Sequence, residues 1–405
     1  MVGRGYFLSA GEIGYHDTGK CMEESNSVAN SIQEQVRQAL AERSALEVFA
    51  GGSKSFLGRK QSGAPLDVSA LRGVISYEPG ELVLVARPGT RLNEIETLLD
   101  GEGQYFAFEP PGWGEAATIG GTVACNLSGP RRFKMGALRD HLLGIEMIDG
   151  HGERIRAGGK VVKNVTGYDL SKVLAGSFGT LGVLTEVCLK VWPRPETQAT
   201  LSVHGLLPDA ALQHMLDWAA RPLEITALAY DEAGLVARVE GPAQAVRVQI
   251  EMLRALVTAE SSVMEHDESL AFWRHWRELE WLVPGAGMQR WRFSGPPTRM
   301  VRLMEALKAE GLQRWGLDWA GGLLWALLPV DTAVGLVHRT AARHEALGWR
   351  FAAGERNEEA FTPPNGGVVR MNQMLKRSLD PQNIFNPGKM FALDEIQVGG
   401  NGLDG

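Results

Sequence analysis

The chain has 405 residues, 44% of them hydrophobic, with 41 Lys+Arg against 48 Asp+Glu and 49 glycines. This length predicts two or three domains at ~150 residues each, and a net charge of −7 argues against a nucleic-acid binder. Three cysteines, Cys21, Cys125 and Cys188, share no CxxC spacing; they exclude a disulfide framework and any iron–sulfur cluster held by this chain alone, and point to a reducing compartment.

Residues 1–30 are rich in Gly, Ser, Glu and Asn without a hydrophobic period. They read as a disordered leader, or as the product of an upstream start codon with Met22 as the natural beginning. No signal-peptide core follows a basic start. Order is expected from Ser31, where Ser31-Ile32-Gln33-Glu34 fits a capping box ahead of an Ile32, Val36, Ala39, Leu40 stripe. Leu46 to Ala50 reads as a strand ending in Gly51-Gly52. Gly73–Tyr77 and Leu82–Ala86 read as a strand pair joined at Glu78-Pro79-Gly80-Glu81. Thr90 is expected to cap a helix that carries Leu92, Ile95, Leu98 and Leu99 on one face. A hairpin is expected around Asp149-Gly150, and a long apolar strand from Val183 to Trp192 stops at Pro193-Arg194-Pro195, the best domain boundary in the chain.

From 196 to 366 strands alternate with amphipathic helices such as Pro242–Leu256, and eight of the 11 tryptophans fall between Trp273 and Trp349. Each indole buries ~150–250 Å², so this density requires a deep core or a partner surface, with core packing the simpler reading. The longest apolar run, Trp319–Val330, falls short of the ~20 residues that span a bilayer. A helix from about Gly367 to Leu379 leads into a tail containing Phe385-Asn386-Pro387-Gly388-Lys389. No repeat of ~20–50 residues is apparent.

Hydrolytic and metal templates fail: the chain has no HExxH and no His-x-His pair, and neither GxxxxGK[ST] nor GxGxxG is satisfied. What remains is a set of glycine-rich segments. In Gly51-Gly52-Ser53-Lys54-Ser55, paired glycines let backbone amides converge on a pyrophosphate, although alone the loop reads equally as a strand-ending turn. The run Pro110–Gly129 is almost devoid of bulk from Ala116 to Ala124. It admits a large flat ligand, and Thr118 is placed to cap a helix whose amides face an anion. Lys163–Leu170 with Gly176–Glu186, and the tail around Asn386, complete the set. Together they suggest one extended dinucleotide gripped from several loops.

On these residues the sequence resembles the vanillyl-alcohol-oxidase type of FAD-binding flavoproteins: the Gly51-Gly52 loop, Ala117-Thr118-Ile119-Gly120-Gly121, Asn164-Val165-Thr166-Gly167-Tyr168-Asp169-Leu170, Gly179-Thr180-Leu181-Gly182-Val183 and Phe385–Lys389. Within that superfamily it is similar to the FAD-binding E-subunit family of bacterial glycolate oxidases, through Ser53–Arg59, Glu109-Pro110-Pro111 and Ser128–Arg132 as well. The resemblance runs from about 31 to 393 and is weakest across the middle.

It implies an α+β fold: a PCMH-type FAD-binding domain of two α/β subdomains over 31–195, a smaller α+β cap over 196–366, and a C-terminal segment, 367–405, returning to the flavin. Gly51, Gly52, Ser53, Lys54 and Ser55 are implied to line the pyrophosphate. Ala117, Thr118, Gly120, Gly121, Ala124, Asn126 and Gly129 are implied to run beside the flavin and ribityl chain, Gly182 and Val183 to reach the adenosine, and Asn386 to lie by the isoalloxazine. Covalent-flavin relatives often carry histidine where Ser53 stands, so FAD is expected to be non-covalent.

Related D-2-hydroxyacid dehydrogenases carry a histidine-rich metal motif in the cap, whereas the comparable stretch here reads His344–Glu355 without paired metal histidines. His338, His344 and Arg350 are the visible candidates for base and carboxylate anchor. The expected function is a glycolate oxidase/dehydrogenase subunit acting with a D-type flavin subunit and an iron–sulfur subunit. It would be cytoplasmic, with no metal and no nucleic acid, and any membrane contact peripheral and through partners. The alternatives are a self-sufficient FAD-dependent D-2-hydroxyacid dehydrogenase and a non-catalytic scaffold paralogue.

Overall fold

The computed structural model describes residues 7–9, 12–14, 18–159, 170–351 and 359–391, with side chains from residue 26. The first long helix spans Thr18–Glu42 and buries Ala29, Ile32, Val36 and Ala39 at the i, i+3, i+4 spacing that one helix face provides. This corrects the expected start at Ser31. Ser31 lies inside the helix, and Ala29 ahead of it is fully buried, so the apolar stripe extends further upstream than the capping-box pattern indicated. The helix packs on a parallel pair, Leu46–Phe49 with Ala64–Asp67, and on Ile384 and Phe385 of the tail.

A second layer is a five-stranded antiparallel sheet in the order Val74–Glu78, Val83–Ala86, Val183–Lys190, Leu142–Ile148, Arg154–Gly158. The helix Leu92–Gly101 covers it with Leu92, Ile95, Leu98 and Leu99, the four residues its period singled out. Its N-cap is Arg91 rather than Thr90. The Thr90 hydroxyl instead bonds the carbonyls of Gly73 and Arg87, tying the helix entry to the first strand.

Beyond Pro193-Arg194-Pro195 the chain builds an eight-stranded antiparallel sheet from two β-α-β-β-α-β units. The first comprises Thr197–Val203, Pro208–Ala219, Ile225–Asp231, Gly234–Gly241, Ala243–Arg254 and Ser261–Met264. The second comprises Met288–Ser294, Pro297–Lys308, Arg314–Asp318, Leu323–Pro329, Val334–Arg343 and Leu347–Phe351. They join through Tyr230 opposite Leu317 and are linked by the helix His266–Arg277. The duplication has a longer period than the ~20–50 residues of solenoid repeats, which is why a search at that scale misses it.

One sheet face packs its four helices over a core containing Trp218, Trp291 and Met304. The other meets the first domain through Leu57, Cys125, Leu127 and Phe178, packed against Trp273, Trp276, Trp281, Trp325 and Phe351. The tryptophans are therefore core residues. Trp276 stacks on Trp281 at 4.3 Å and donates its indole N–H to Asp318, while Arg292 lies 4.4 Å from the Trp349 ring and 5.0 Å from that of Trp319.

The two domains are also joined by four buried charges. Glu109 of the first domain accepts from both Arg238 guanidinium nitrogens, at 3.0 and 2.9 Å, and pairs with Arg131 at 3.0 Å. Arg131 in turn donates to Glu240 of the second domain at 2.6 Å. Burial drives the Glu109 carboxyl upward, but the two guanidinium groups outweigh it and hold its pKa at about 2. Its contribution to stability is therefore complete above pH 4.5 and lost as pH falls toward 2. Glu109→Gln is expected to cost about 3–5 kcal/mol at pH 7 by leaving two buried cations short of an anion. Denaturant titration is expected to show that gap narrowing below pH 4.5; a gap independent of pH would contradict the assignment.

Candidate functional site

The loops converge on a cleft of about 970 Å³, open mouth included, along the seam between the parallel strand pair and the five-stranded sheet. Gly51 begins it. A Cβ there would overlap the Ala116 carbonyl, so only glycine lets the end of the Leu46–Phe49 strand press against the 114–118 turn. Gly52 follows at φ +74°, with nothing within 4 Å of where a Cβ would stand. The N–H groups of Gly52, Ser53 and Lys54 find no acceptor among the described residues. Successive unpaired amides with a Ser53 hydroxyl and a lysine form an anion-binding concavity, which fits a pyrophosphate. Lys54 is buried, and its ammonium donates to Ser53 Oγ at 3.1 Å and to the Gly112 carbonyl at 3.4 Å. Burial lowers its pKa, opposed by Cys125 and Glu278.

The helix Ile119–Cys125 supplies one wall. Thr118 caps it as expected, accepting from Gly121 N at 3.3 Å. The expectation that its amides face an anion is corrected: Ile119 N donates to the Thr90 carbonyl, Gly120 N to the Pro88 carbonyl and Gly121 N to Thr118. Those donors are spent, unlike the amides of Gly52, Ser53 and Lys54, which find no acceptor among the described residues. The helix offers slenderness instead. Gly120 packs on Pro88, and a Cβ on Gly121 would meet only the Thr118 hydroxyl and, at 4.0 Å, Lys54 Cδ.

The opposite wall comes from Ser177 to Gly179 and Gly182 to Leu184. Gly182 approaches Ile148 and Met147 so closely that no side chain fits. Asn386 fixes this wall from behind. Its Oδ1 accepts from Val48 N at 2.9 Å and its Nδ2 donates to the Phe178 carbonyl at 2.9 Å. Lys376 donates to the Thr180 and Phe385 carbonyls, so the tail is stitched beneath the cleft. Of the motif Asn164–Leu170, residues 164–169 lie outside the described residues.

Gly51, Gly52, Ser53, Lys54, Ser55, Thr118, Gly120, Gly121, Ala124, Gly182 and Val183 thus line a single cleft. Four other candidates stand behind or beside it. Ala117 is buried beneath the helix entry, and Asn126 ends the helix in left-handed conformation with its Oδ1 accepting from Arg139 N. Gly129 packs on the Glu109 carbonyl, and Asn386 is the clamp described above. His338, His344 and Arg350 lie away from the cleft. His338 bonds Thr362 and the Glu359 carbonyl and meets Trp291 edge-on. His344 bonds the Thr340 carbonyl, and Arg350 sits across from Trp291 on the helix-covered face of the cap sheet.

Sequence reasoning missed Pro88, Cys125, Phe178 and Lys389 as lining residues. Cys125 follows Gly121 by one helical turn and so shares its face, a signal that was present. Burial pushes the Cys125 thiol up to about 11, despite Lys54 and Lys389 nearby.

Gly121→Leu is expected to leave the fold intact while filling the cleft. FAD affinity should fall about 10- to 100-fold, read by equilibrium titration of flavin fluorescence, with an unchanged far-UV spectrum. Undiminished binding would place the ligand elsewhere.

A family model described as an FAD binding domain matches residues 28–158. Glycolate oxidase subunit GlcE of Escherichia coli (strain K12) is 39% identical over 367 residues, covering 90% of this chain and 97% of that protein. Glycolate oxidase subunit GlcD of Bacillus subtilis (strain 168) is 33% identical over 157 residues, covering 39% of this chain and 33% of GlcD. Among solved structures, alkyldihydroxyacetonephosphate synthase superposes with a TM-score of 0.63 at 14% identity, covering 88% of this chain and 75% of that one, and shares the fold. With a converging glycine-lined cleft and a relative matched along nearly its whole length, the chain belongs to the GlcE family of glycolate oxidase subunits, FAD-binding oxidoreductases of the PCMH-type α+β fold.

Proposed function

We propose that this chain is the FAD-binding subunit of a heteromeric glycolate oxidase, holding FAD non-covalently in the cleft between residues 51–55, 118–124 and 177–184. The observation that carries the reading is the concavity of unpaired amides at Gly52, Ser53 and Lys54, beside a wall whose glycines leave room for a flat ligand. In this reading Gly51–Ser55 hold the pyrophosphate, with Lys54 offsetting its charge. Gly120, Gly121 and Ala124 flank the ribityl chain, and Gly182 and Val183 face the adenosine. Ala117, Asn126, Gly129 and Asn386 shape these walls from outside. Ser53 carries no group suited to the covalent attachment that a histidine provides.

When bound, FAD supplies a two-electron acceptor that can release its electrons singly. Oxidation of a 2-hydroxyacid also needs a base for the hydroxyl proton and a cation for the carboxylate. The positions of His338, His344 and Arg350, all turned from the cleft, support a division of labour in which a D-type flavin subunit contributes substrate chemistry and an iron–sulfur subunit carries electrons onward. No described helix is long and apolar enough to cross a membrane, and in this reading membrane contact is made through partners.

Two measurements on the full chain test this. Denaturant is expected to release all flavin, leaving none attached to the polypeptide. Glycolate-driven reduction of an artificial acceptor is expected from the chain purified with its partner subunits and to be negligible from the chain alone. Flavin retained on the unfolded chain would overturn the non-covalent assignment, and robust turnover by the isolated chain would overturn the subunit reading.

A further inference from the structure

The helix His266–Arg277, which links the two halves of the cap, ends against the first domain with Glu278 as its C-cap. The Glu278 carboxylate reaches out of the cap and accepts main-chain hydrogen bonds from the Pro110–Gly114 loop. Oε2 takes Trp113 N at 2.9 Å and Gly112 N at 3.1 Å, while Oε1 takes Arg277 Nε at 2.8 Å. Trp113 at φ +53° and Gly114 at φ +102° turn the loop sharply just after the two amides the carboxylate binds. Left-handed backbone is strained for a non-glycine residue such as Trp113, and the carboxylate contacts hold the loop in that conformation.

The other side of the same loop lies against Lys54, one of the residues lining the cleft. The Gly112 carbonyl accepts from Lys54 Nζ at 3.4 Å, and the Trp113 ring lies 5.9 Å from that ammonium. The Trp113 N–H and the Gly112 C=O belong to one peptide group. A cap carboxylate accepts from one end of it and the cleft lysine donates to the other, so each hydrogen bond polarises the peptide in the sense that strengthens its neighbour. Trp113 is held in place besides by Phe56 and by Phe351 of the cap, 5.7 and 5.4 Å away.

We propose that Glu278 is a positioning residue for the cofactor site: through the Gly112–Trp113 peptide it fixes Lys54 in the cleft, so that seating of the cap sets how FAD is held. This rests on the reading that the cleft binds FAD.

The test is a double-mutant cycle on the full chain, with FAD affinity and the visible spectrum of the bound flavin as readouts. Glu278→Gln, which keeps the shape but loses the charge, is expected to weaken FAD about threefold, and Glu278→Ala about tenfold. Both are expected to shift the flavin band in the direction that Lys54→Met shifts it. In the Lys54→Met background neither substitution is expected to weaken binding further. A role confined to stitching the domains would give losses that add to those of Lys54→Met and leave the spectrum unmoved. Additive losses, or wild-type affinity and spectrum in both Glu278 variants, would overturn the proposal. Should Glu278→Ala fail to fold, the Glu278→Gln cycle decides alone. Failure of the wild-type chain to bind FAD would refute the cofactor reading itself, and is distinguishable from wild-type binding with uncoupled variants.

Discussion

Backbone approaching backbone without an intervening Cβ is the constraint on which the rest of this molecule depends. Gly51 lies on the Ala116 carbonyl, Gly120 on that of Pro88 and Gly182 on that of Ile148, while Gly179 admits the Asn386 side-chain amide against its own backbone. Each contact joins segments distant in sequence, and each would be lost with the smallest side chain. Their sum draws a strand end, a short helix, a wall and the tail around one seam. The glycines that leave space, Gly52 and Gly121, then define its interior. Two uses of the same residue, one to close and one to open, produce a cleft where a close-packed core would otherwise form.

The second domain is fastened to that cleft by two different kinds of interaction. Aromatic rings fill the central contact, where Phe178 of the wall meets Trp349 and Phe361 at 5.5 and 5.0 Å. Charge is placed at the margin, in the Glu109, Arg131, Arg238 and Glu240 group and in the Glu278 capture of two amides. Aromatic burial contributes area, whereas the buried ion pairs are costly when broken singly and so hold one relative orientation of the domains.

Much of this was legible in the sequence because it is local. The Leu92–Leu99 face, the hairpin pairing of Val74–Glu78 with Val83–Ala86 and the strand from Val183 each follow from a period read over a few residues. The Gly51–Ser55 loop alone reads equally as a strand-ending turn, and it is its combination with the slender Ala116–Ala124 run and the later glycine segments that suggests an extended dinucleotide. What escaped is long-range. The helix at Ile119 spends its amides on carbonyls of Pro88 and Thr90, some 30 residues earlier. Asn386 is consumed by Val48 and Phe178, and Glu278 meets a loop far upstream of it. None of these pairings leaves a local pattern. The cap duplication was hidden for a related reason, since corresponding elements such as Pro208–Ala219 and Pro297–Lys308 recur at an offset far longer than the ~20–50 residues of solenoid repeats.

Hydrogen exchange of the full chain with and without FAD tests the central claim most directly, because the amides expected to bind find no acceptor among the described residues. FAD is predicted to protect peptides spanning Gly52, Ser53 and Lys54 and to slow exchange along Ser177–Leu184, while the Ile119–Gly121 amides, already bonded, change little. Unaltered exchange at Gly52–Lys54 alongside saturating FAD binding would contradict the account.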